Sequence, residues 1–145
     1  MDNKEFKKIV GTVLKKNGFE LEKKVYYIRS EQVIVSLDFQ KSNFDDSFFI
    51  NYGFTLVKIN PDVTYPKPHT SDVSGRFTYF DEDEEFPQFD LDKVTPENLE
   101  ESIELNLENN IKPVIQDGLM KYFEINPAAK FVAKLNVKQY LGLDE

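Results

Sequence analysis

Polar residues interrupt two aromatic-rich segments that otherwise have the alternating pattern of β-strands. Gln40 and Ser42 lie at the end of the first segment, and Asn51 and Gly53 lie in the middle of the second. Asn and Gly are disfavoured in strands, and a Gly inside a strand often marks a bulge or a close approach of backbone or ligand. Arg76, in the next candidate strand, adds a cation suited to a carboxylate or phosphate. These residues predict a polar pocket for an anionic small molecule; the alternative is a buried polar network that is satisfied internally.

The strands that must position these residues follow one another along the chain. Segments 25–29, 32–40 and 47–59 have strand composition and alternation, and a fourth strand is expected at 76–80. Residues 60–75 are expected to form a loop, because their prolines cannot occupy a central strand. One face of the third strand is apolar and consists of Phe48, Ile50, Tyr52, Phe54 and Leu56. Its polar residues therefore lie on the opposite face of the sheet.

Helices are predicted before and after this sheet. Residues 3–17 carry apolar side chains at the spacing of one helix face. Thr95 followed by Pro96 is a helix start, Pro113 should kink or divide the helix that follows, and a last helix is expected over 126–141. The chain of 145 residues therefore predicts one α+β domain. An antiparallel sheet of about four strands is packed by the N-terminal helix and followed by two or three C-terminal helices.

Charge is distributed unevenly along the chain. The net charge is −8, which repels phosphate backbones, so nucleic acid is not an expected partner. Residues 1–30 carry a net charge of +4, whereas residues 81–108 contain twelve Asp and Glu against Lys93 alone. The acidic segment is either a solvated face or a docking surface for a basic protein.

The docking hypothesis depends on a run of five acids with aromatic residues on both sides. Complementary charge would speed association with a basic partner such as a toxin, and Phe80 and Phe89 would join the contact as aromatic anchors. The candidate partner-binding residues are Asp81, Glu82, Asp83, Glu84, Glu85 and Phe86.

The sequence offers little for catalysis or metal binding. His69 is the only histidine, lies in a proline-rich loop, and is expected to be an exposed loop residue. The chain has no Cys, so thiolate metal sites and a Cys nucleophile are excluded. Calcium or magnesium could use Asp81, Asp83 and Glu85, but the glycine that an EF-hand loop requires is missing. No catalytic residue, metal or cofactor is therefore predicted.

The compartment expected from the sequence is the cytoplasm. The N-terminus is polar and has no apolar core of a signal peptide, and no apolar run approaches the length of a membrane span. The absence of Cys fits a reducing compartment. A membrane is therefore not an expected partner.

The order of these motifs resembles a bacterial domain-of-unknown-function family, DUF4304. The resemblance covers roughly residues 5–80 and rests on two motifs and one arginine. The motifs are Phe39-Gln40-Lys41-Ser42 and Ile50-Asn51-Tyr52-Gly53, and the arginine is Arg76. The resemblance implies a small cytoplasmic protein without an assigned activity. Families of this size and style include immunity proteins of toxin systems, so it also suggests an immunity role.

Three functions therefore remain open. The first is a non-enzymatic binding protein of immunity type that occludes a basic partner. The second is a domain that binds an anionic small molecule on the polar sheet face. The third is an enzyme, for which no activated nucleophile or base is visible. A closed, filled sheet face would favour the first, and an open concavity holding Arg76 would favour the second.

Overall fold

A computed structural model describes residues 1–143 of the chain. Helix α1 spans Asn3–Lys16, and Oδ1 of Asp2 caps its start by accepting a hydrogen bond of 2.8 Å from the backbone N–H of Glu5. Gly18 follows with φ of 94°, a left-handed conformation that favours glycine and turns the chain out of the helix. The helix predicted at 3–17 is confirmed.

Six strands form one antiparallel sheet, and two more form a separate hairpin. The strands are β1 Glu20–Glu22, β2 Val25–Arg29, β3 Val33–Lys41, β4 Ser47–Leu56, β5 Val73–Arg76, β6 Tyr79–Asp81, β7 Glu84–Phe86 and β8 Phe89–Asp90. The first five are neighbours in sequence order, and β8 pairs with the beginning of β4. Strands β6 and β7 pair only with each other. The predicted α+β fold with an antiparallel sheet is confirmed.

The strand predicted at 76–80 is wrong in its position. Strand β5 pairs Val73 with Phe54 and ends where Arg76 pairs with Asn51. Two residues later the chain has left the sheet, because the backbone N–H of Thr78 donates to the side chain of Asn106 rather than to β4. Residues 60–75, predicted as loop, therefore contain most of β5.

The C-terminal part is helical, with an interruption where Pro113 predicted one. Helix α2 spans Pro96–Asn106 and α3 spans Lys112–Asp117, with a π-helical segment at Leu107–Ile111 between them. Pro113 has no N–H to continue the regular ladder, so the helix widens before it. Helix α4 spans Leu119–Ile125. Counting α2 and α3 as one interrupted helix, three helices follow the sheet within residues 1–143.

The continuous helix predicted over 126–141 is wrong. The chain forms a 3-10 turn at Pro127–Val132 and then helix α5 at Leu135–Leu141. Ala133 between them is extended, with ψ of 144°, so the two pieces do not join. No helix among residues 1–143 is both long and apolar enough to cross a membrane.

One face of the sheet is buried under the helices. The five residues that alternation placed on one side of β4 are all buried: Phe48, Ile50, Tyr52, Phe54 and Leu56. Phe6 of α1 stacks on Phe48 with ring centroids 4.8 Å apart, which joins the first helix to the sheet. The helices therefore cover this face and leave the other to be covered by the chain's own loop.

The loop from residue 57 to residue 72 crosses part of the second sheet face. Tyr65 packs edge-on against Tyr27 of β2, with centroids 5.3 Å apart. Pro68 and Ser71 lie against Gly53 in the middle of the sheet. Beyond Pro68 the second face is open to solvent, and the polar residues of β3, β4 and β5 lie there.

Candidate functional site

The uncovered part of the second sheet face is an open groove of about 770 Å³. Strands β3, β4 and β5 form its floor, and the loop around Pro68 and His69 forms one wall. Its lining residues are Asp38, Phe39, Gln40, Asn51, Pro68, His69, Ser74, Gly75 and Arg76. Its volume is within the range of small-molecule sites, and its lining is more polar than the lining of most such sites.

The polar centre of the groove is a row of three residues on three neighbouring strands. Asp38 of β3 is directly opposite Asn51 of β4, and Asn51 is directly opposite Arg76 of β5. Nδ2 of Asn51 donates to Oδ1 of Asp38 over 3.2 Å and to Oε1 of Gln40 over 3.1 Å. Nε of Arg76 donates to Oδ1 of Asn51 over 3.0 Å. The Asn51 amide therefore uses both of its ends to hold its neighbours.

Arg76 is held in position but its charge is not paired. Its guanidinium lies 4.1 Å from the ring centroid of Phe49, a cation–π contact that fixes the plane of the group. The side chain is exposed, and it makes no salt bridge with any residue between 1 and 143. Nη2 has only a long contact of 3.5 Å to Gln40. The guanidinium therefore keeps donors for an anionic group.

Asp38 is a half-buried carboxyl group at the other end of the row. Burial raises its pKa above the ordinary value of 3.8, and the hydrogen bond from Asn51 and the nearby charges of His69 and Lys67 lower it in part. Ionisation of Asp38 is therefore unfavourable in this half-buried position. A cation or a strong hydrogen-bond donor of a ligand would stabilise the carboxylate.

The predicted ligand-binding residues are only partly brought together. Gln40, Asn51 and Arg76 meet in the groove. Gly53 lies next to it under the loop, where a Cβ would come within 2.1 Å of Oγ of Ser71, so the close approach is made by the chain's own loop and not by a ligand. Ser42 is separate from the groove: its Oγ accepts from the N–H of Phe44 in the turn between β3 and β4.

Three polar residues of the groove were not predicted. Asp38 could have been found, because it alternates with Gln40 on the polar face of the same strand. His69 and Ser74 could not, because they reach the groove through the path of the loop. His69 is exposed, as predicted. Within the described chain no hydrogen bond joins Asp38, His69 and Ser74, so their presence in one groove does not assemble a catalytic relay.

The acidic run forms the hairpin of β6 and β7. Asp81 pairs with Glu84, and Glu82 lies in the turn with φ of 57°. The residues from 82 to 85 are exposed. Phe86 is half-buried and remains available as an anchor, but Phe89 is fully buried and packs on Phe6, so the expected anchor role of Phe89 is wrong. Phe89 is drawn into the core because β8 pairs it with Phe48 of β4.

Two side chains of α2 hold this hairpin in place. Asn106 accepts a hydrogen bond from the N–H of Thr78 and donates to its carbonyl, at 3.0 and 2.7 Å. Ser102 does the same for Phe80, at 2.8 and 3.3 Å. These side chains supply the hydrogen bonds that a neighbouring strand would otherwise make. The acidic hairpin is therefore attached to the acidic helix α2.

Fold and site together define an α+β domain with a solvent-open polar groove on a sheet face. The chain belongs to the family described as Domain of unknown function (DUF4304), whose model matches residues 10–117. This match extends the resemblance seen in the sequence through the end of α3, and it contains every residue that lines the groove. Comparison with curated proteins and with solved structures found no significant match.

Proposed function

We propose that this domain binds a small molecule through an anionic group in the groove. The observation that carries the proposal is Arg76, whose guanidinium is oriented by Asn51 and Phe49 and has no acidic partner in the described chain. A pre-oriented guanidinium loses little conformational entropy on binding, and it suits the planar geometry of a carboxylate or phosphate.

The charges around the groove support an anion. Lys67 and His69 are close enough to influence Asp38, and Arg76 lies at the opposite end of the same polar row. Asp38 is the one acidic residue of the groove lining. The local field therefore favours a negative group at the arginine end, in a protein whose net charge is −8.

Thermal unfolding in the presence of small anions tests this proposal. Orthophosphate, sulfate and succinate would each be added to the wild type and to Arg76→Gln. Binding to the folded state raises the unfolding midpoint, so at least one anion should raise it in the wild type and fail to do so in the variant. Arg29→Gln is the matched control, because Arg29 is also exposed and also packs on an aromatic ring, that of Tyr65, but lies outside the groove.

The two variants separate groove binding from general salt effects. Stabilisation that persists in Arg76→Gln, or that is lost equally in Arg29→Gln, would contradict an anion site at Arg76. If none of the probes stabilises the wild type, native mass spectrometry of the protein from its cell extract is the second measurement. A copurified anionic molecule that is absent from the variant would support the site, and its absence from both proteins would reject the proposal.

A second candidate is recognition of a basic protein by the acidic hairpin, as an immunity protein would bind a toxin. The specific observation that favours it is that Asp81–Glu85 is held in a defined hairpin on α2 and makes no salt bridge within residues 1–143. A pre-formed cluster of unpaired carboxylates would speed association with a basic surface. Phe86 would contribute apolar contact at its edge.

A pull-down with a charge-matched control tests this second candidate. One variant neutralises the five acids from 81 to 85 by amide substitution. The control neutralises five exposed acids elsewhere on the chain, namely Glu20, Glu22, Glu31, Asp62 and Asp117. A basic protein retained by wild type and control, released by salt and lost from the hairpin variant is the expected result. Equal retention by all three proteins would reject the hairpin as the contact.

We also propose the reducing cytoplasm of a bacterial cell as the compartment of this protein. The absence of Cys from all 145 residues supports it, since proteins of oxidising compartments commonly carry disulfides. Fractionation of the native cell with an antibody to the protein is the measurement, and recovery in an extracytoplasmic fraction would reject the assignment.

A further inference from the structure

The groove carries opposite charges at the two ends of its polar row. Asp38 and Arg76 lie on either side of Asn51, whose amide hydrogen-bonds to both, at 3.2 and 3.0 Å. The acidic and basic groups are therefore separated by one amide group and by the hydrogen bond that it makes at each end. They do not form a salt bridge with each other.

We propose that the groove binds a zwitterion of the α-amino acid class, with its carboxylate on Arg76 and its ammonium on Asp38. This inference rests on the proposed anion site and specifies the second half of the ligand. An α-amino acid has its ammonium and its carboxylate attached to one carbon, so with one contact at each end it can span the same gap as the Asn51 amide.

The environment of Asp38 favours binding of a cationic ligand group at this end of the groove. The carboxyl is half-buried and has no cation within salt-bridge distance in the described chain. Burial raises its pKa, which means that the carboxylate form lacks the stabilisation it would have in water. A ligand ammonium would supply that stabilisation, whereas a purely anionic ligand would leave the carboxylate without it.

Asn51 is not available to bind the carboxylate or the ammonium of the ligand. Its Oδ1 accepts from Arg76, and its Nδ2 donates to Asp38 and to Gln40. Its hydrogen-bonding groups are thus used to position the charged residues, and recognition of charge is left to Asp38 and Arg76. The groove volume of about 770 Å³ exceeds what the backbone atoms of an amino acid need, which leaves room for a side chain or a longer substituent.

Matched ligands test the two halves of this inference separately. The full chain would be titrated by NMR with the standard L-α-amino acids, with their N-acetyl derivatives, which lack the ammonium, and with their α-amides, which lack the carboxylate. At least one amino acid should shift the amide resonances around Asn51. Its N-acetyl derivative and its α-amide should each bind about tenfold or more weakly, because each loses one charge-assisted contact.

Two charge-removing variants show which residue is responsible for each loss of affinity. In Asp38→Asn the amino acid should bind no better than its N-acetyl derivative, and in Arg76→Gln it should bind no better than its α-amide. Asp62→Asn, an exposed carboxylate outside the groove, is the control and should leave all affinities unchanged. The Asp38 variant keeps the oxygen that accepts from Asn51, so the fold of the groove is retained.

The outcomes distinguish this inference from the proposed function. If the N-acetyl derivatives or simple anions bind through Arg76 as tightly as the amino acids, the anion site stands and the zwitterion is rejected. The same conclusion follows if anions bind and no amino acid does. If nothing anionic binds through Arg76, both proposals fail.

Discussion

Arg76 and Asn51 are directly opposite each other on neighbouring strands, and the Nε of the arginine donates to Oδ1 of the asparagine over 3.0 Å. The pairing register of β5 therefore decides that Arg76 faces the groove and that the next residue, Phe77, is buried. A shift of one residue would exchange these two faces and bury the arginine. Phe77, fully buried directly after this short strand, makes such a shift unfavourable.

The stability of the fold should depend on the ionisation of Asp38. Burial raises the pKa of its carboxyl above 3.8, so the folded chain keeps the proton to a higher pH than the unfolded chain. Stability should therefore fall as pH rises through the folded pKa. Asp38→Asn cannot ionise, so its stability does not fall in this way. The variant should therefore be more stable than the wild type at pH 7. The difference in the free energy of unfolding should decrease as pH falls towards 3.8.

Urea unfolding at a series of pH values measures this dependence. Asp62→Asn is the control, because Asp62 is exposed and makes no side-chain hydrogen bond in the described chain. A wild type that equals or exceeds Asp38→Asn in stability at pH 7 would contradict the stated cost of this carboxylate.

Gly53 should be intolerant of a side chain. A Cβ at this position would lie 2.1 Å from Oγ of Ser71 and 3.0 Å from Cα of Pro68. Gly53→Ala is therefore expected to lower the free energy of unfolding by about 2 kcal/mol, as overpacking does in other cores. Urea unfolding measures this, and Gly53→Ala combined with Ser71→Gly is the second variant, since it removes the nearest atoms. Because Ser71→Gly also removes the hydrogen bonds of the Ser71 hydroxyl, Ser71→Gly alone is the reference for the double variant. A loss from Gly53→Ala that is as large in the Ser71→Gly background as in the wild type would show that Ser71 is not the obstacle.

Tyr52 and Tyr122 form a buried pair whose hydroxyl oxygens are 2.9 Å apart. Tyr122→Phe leaves the Tyr52 hydroxyl without this partner, so a loss of about 1 to 2 kcal/mol is expected, and the double Phe variant should lose less than the sum of the two single variants. Urea unfolding of all four proteins completes the double-mutant cycle. Tyr140→Phe, at a partly exposed site, is the control for removal of a hydroxyl. Additive losses would contradict a direct interaction.

The same pair should make the fold sensitive to alkaline pH. Burial raises the pKa of both Tyr52 and Tyr122 above the ordinary 10.0, so the unfolded chain ionises first and stability falls once pH exceeds that value. The double Phe variant should show a smaller fall. Equal slopes for wild type and variant above pH 10.0 would refute this assignment.

Asn106 should be essential for docking the acidic hairpin. Its replacement by Ala leaves the N–H and carbonyl of Thr78 without their partners, so a loss of about 2 to 3 kcal/mol is expected. Hydrogen exchange should show loss of protection at the Thr78 amide. Asn109→Ala, at an exposed position of the π segment, is the matched control and should change neither quantity. Retained protection at Thr78 in Asn106→Ala would mean that other contacts hold the hairpin.

The sequence by itself determined the local elements and which faces they bury. Side chains alternate across a strand with a period of two, so the apolar face of β4 could be identified without knowing its neighbours. Gln40 and Asn51 could be assigned to the other sheet face for the same reason, whereas Arg76 was selected as a cation on the next predicted strand. The helix start at Thr95 depends on adjacent residues and could be identified in the same way.

Only the tertiary structure decided how these pieces meet. Asp38, Asn51 and Arg76 form one row because two separate pairing registers align them, and those registers depend on long-range packing. The path of the loop at 57–72 placed His69 beside the groove, and the pairing of β8 with β4 buried Phe89. Local periodicity carries no information about such contacts, because residues far apart in the chain create them when the core closes.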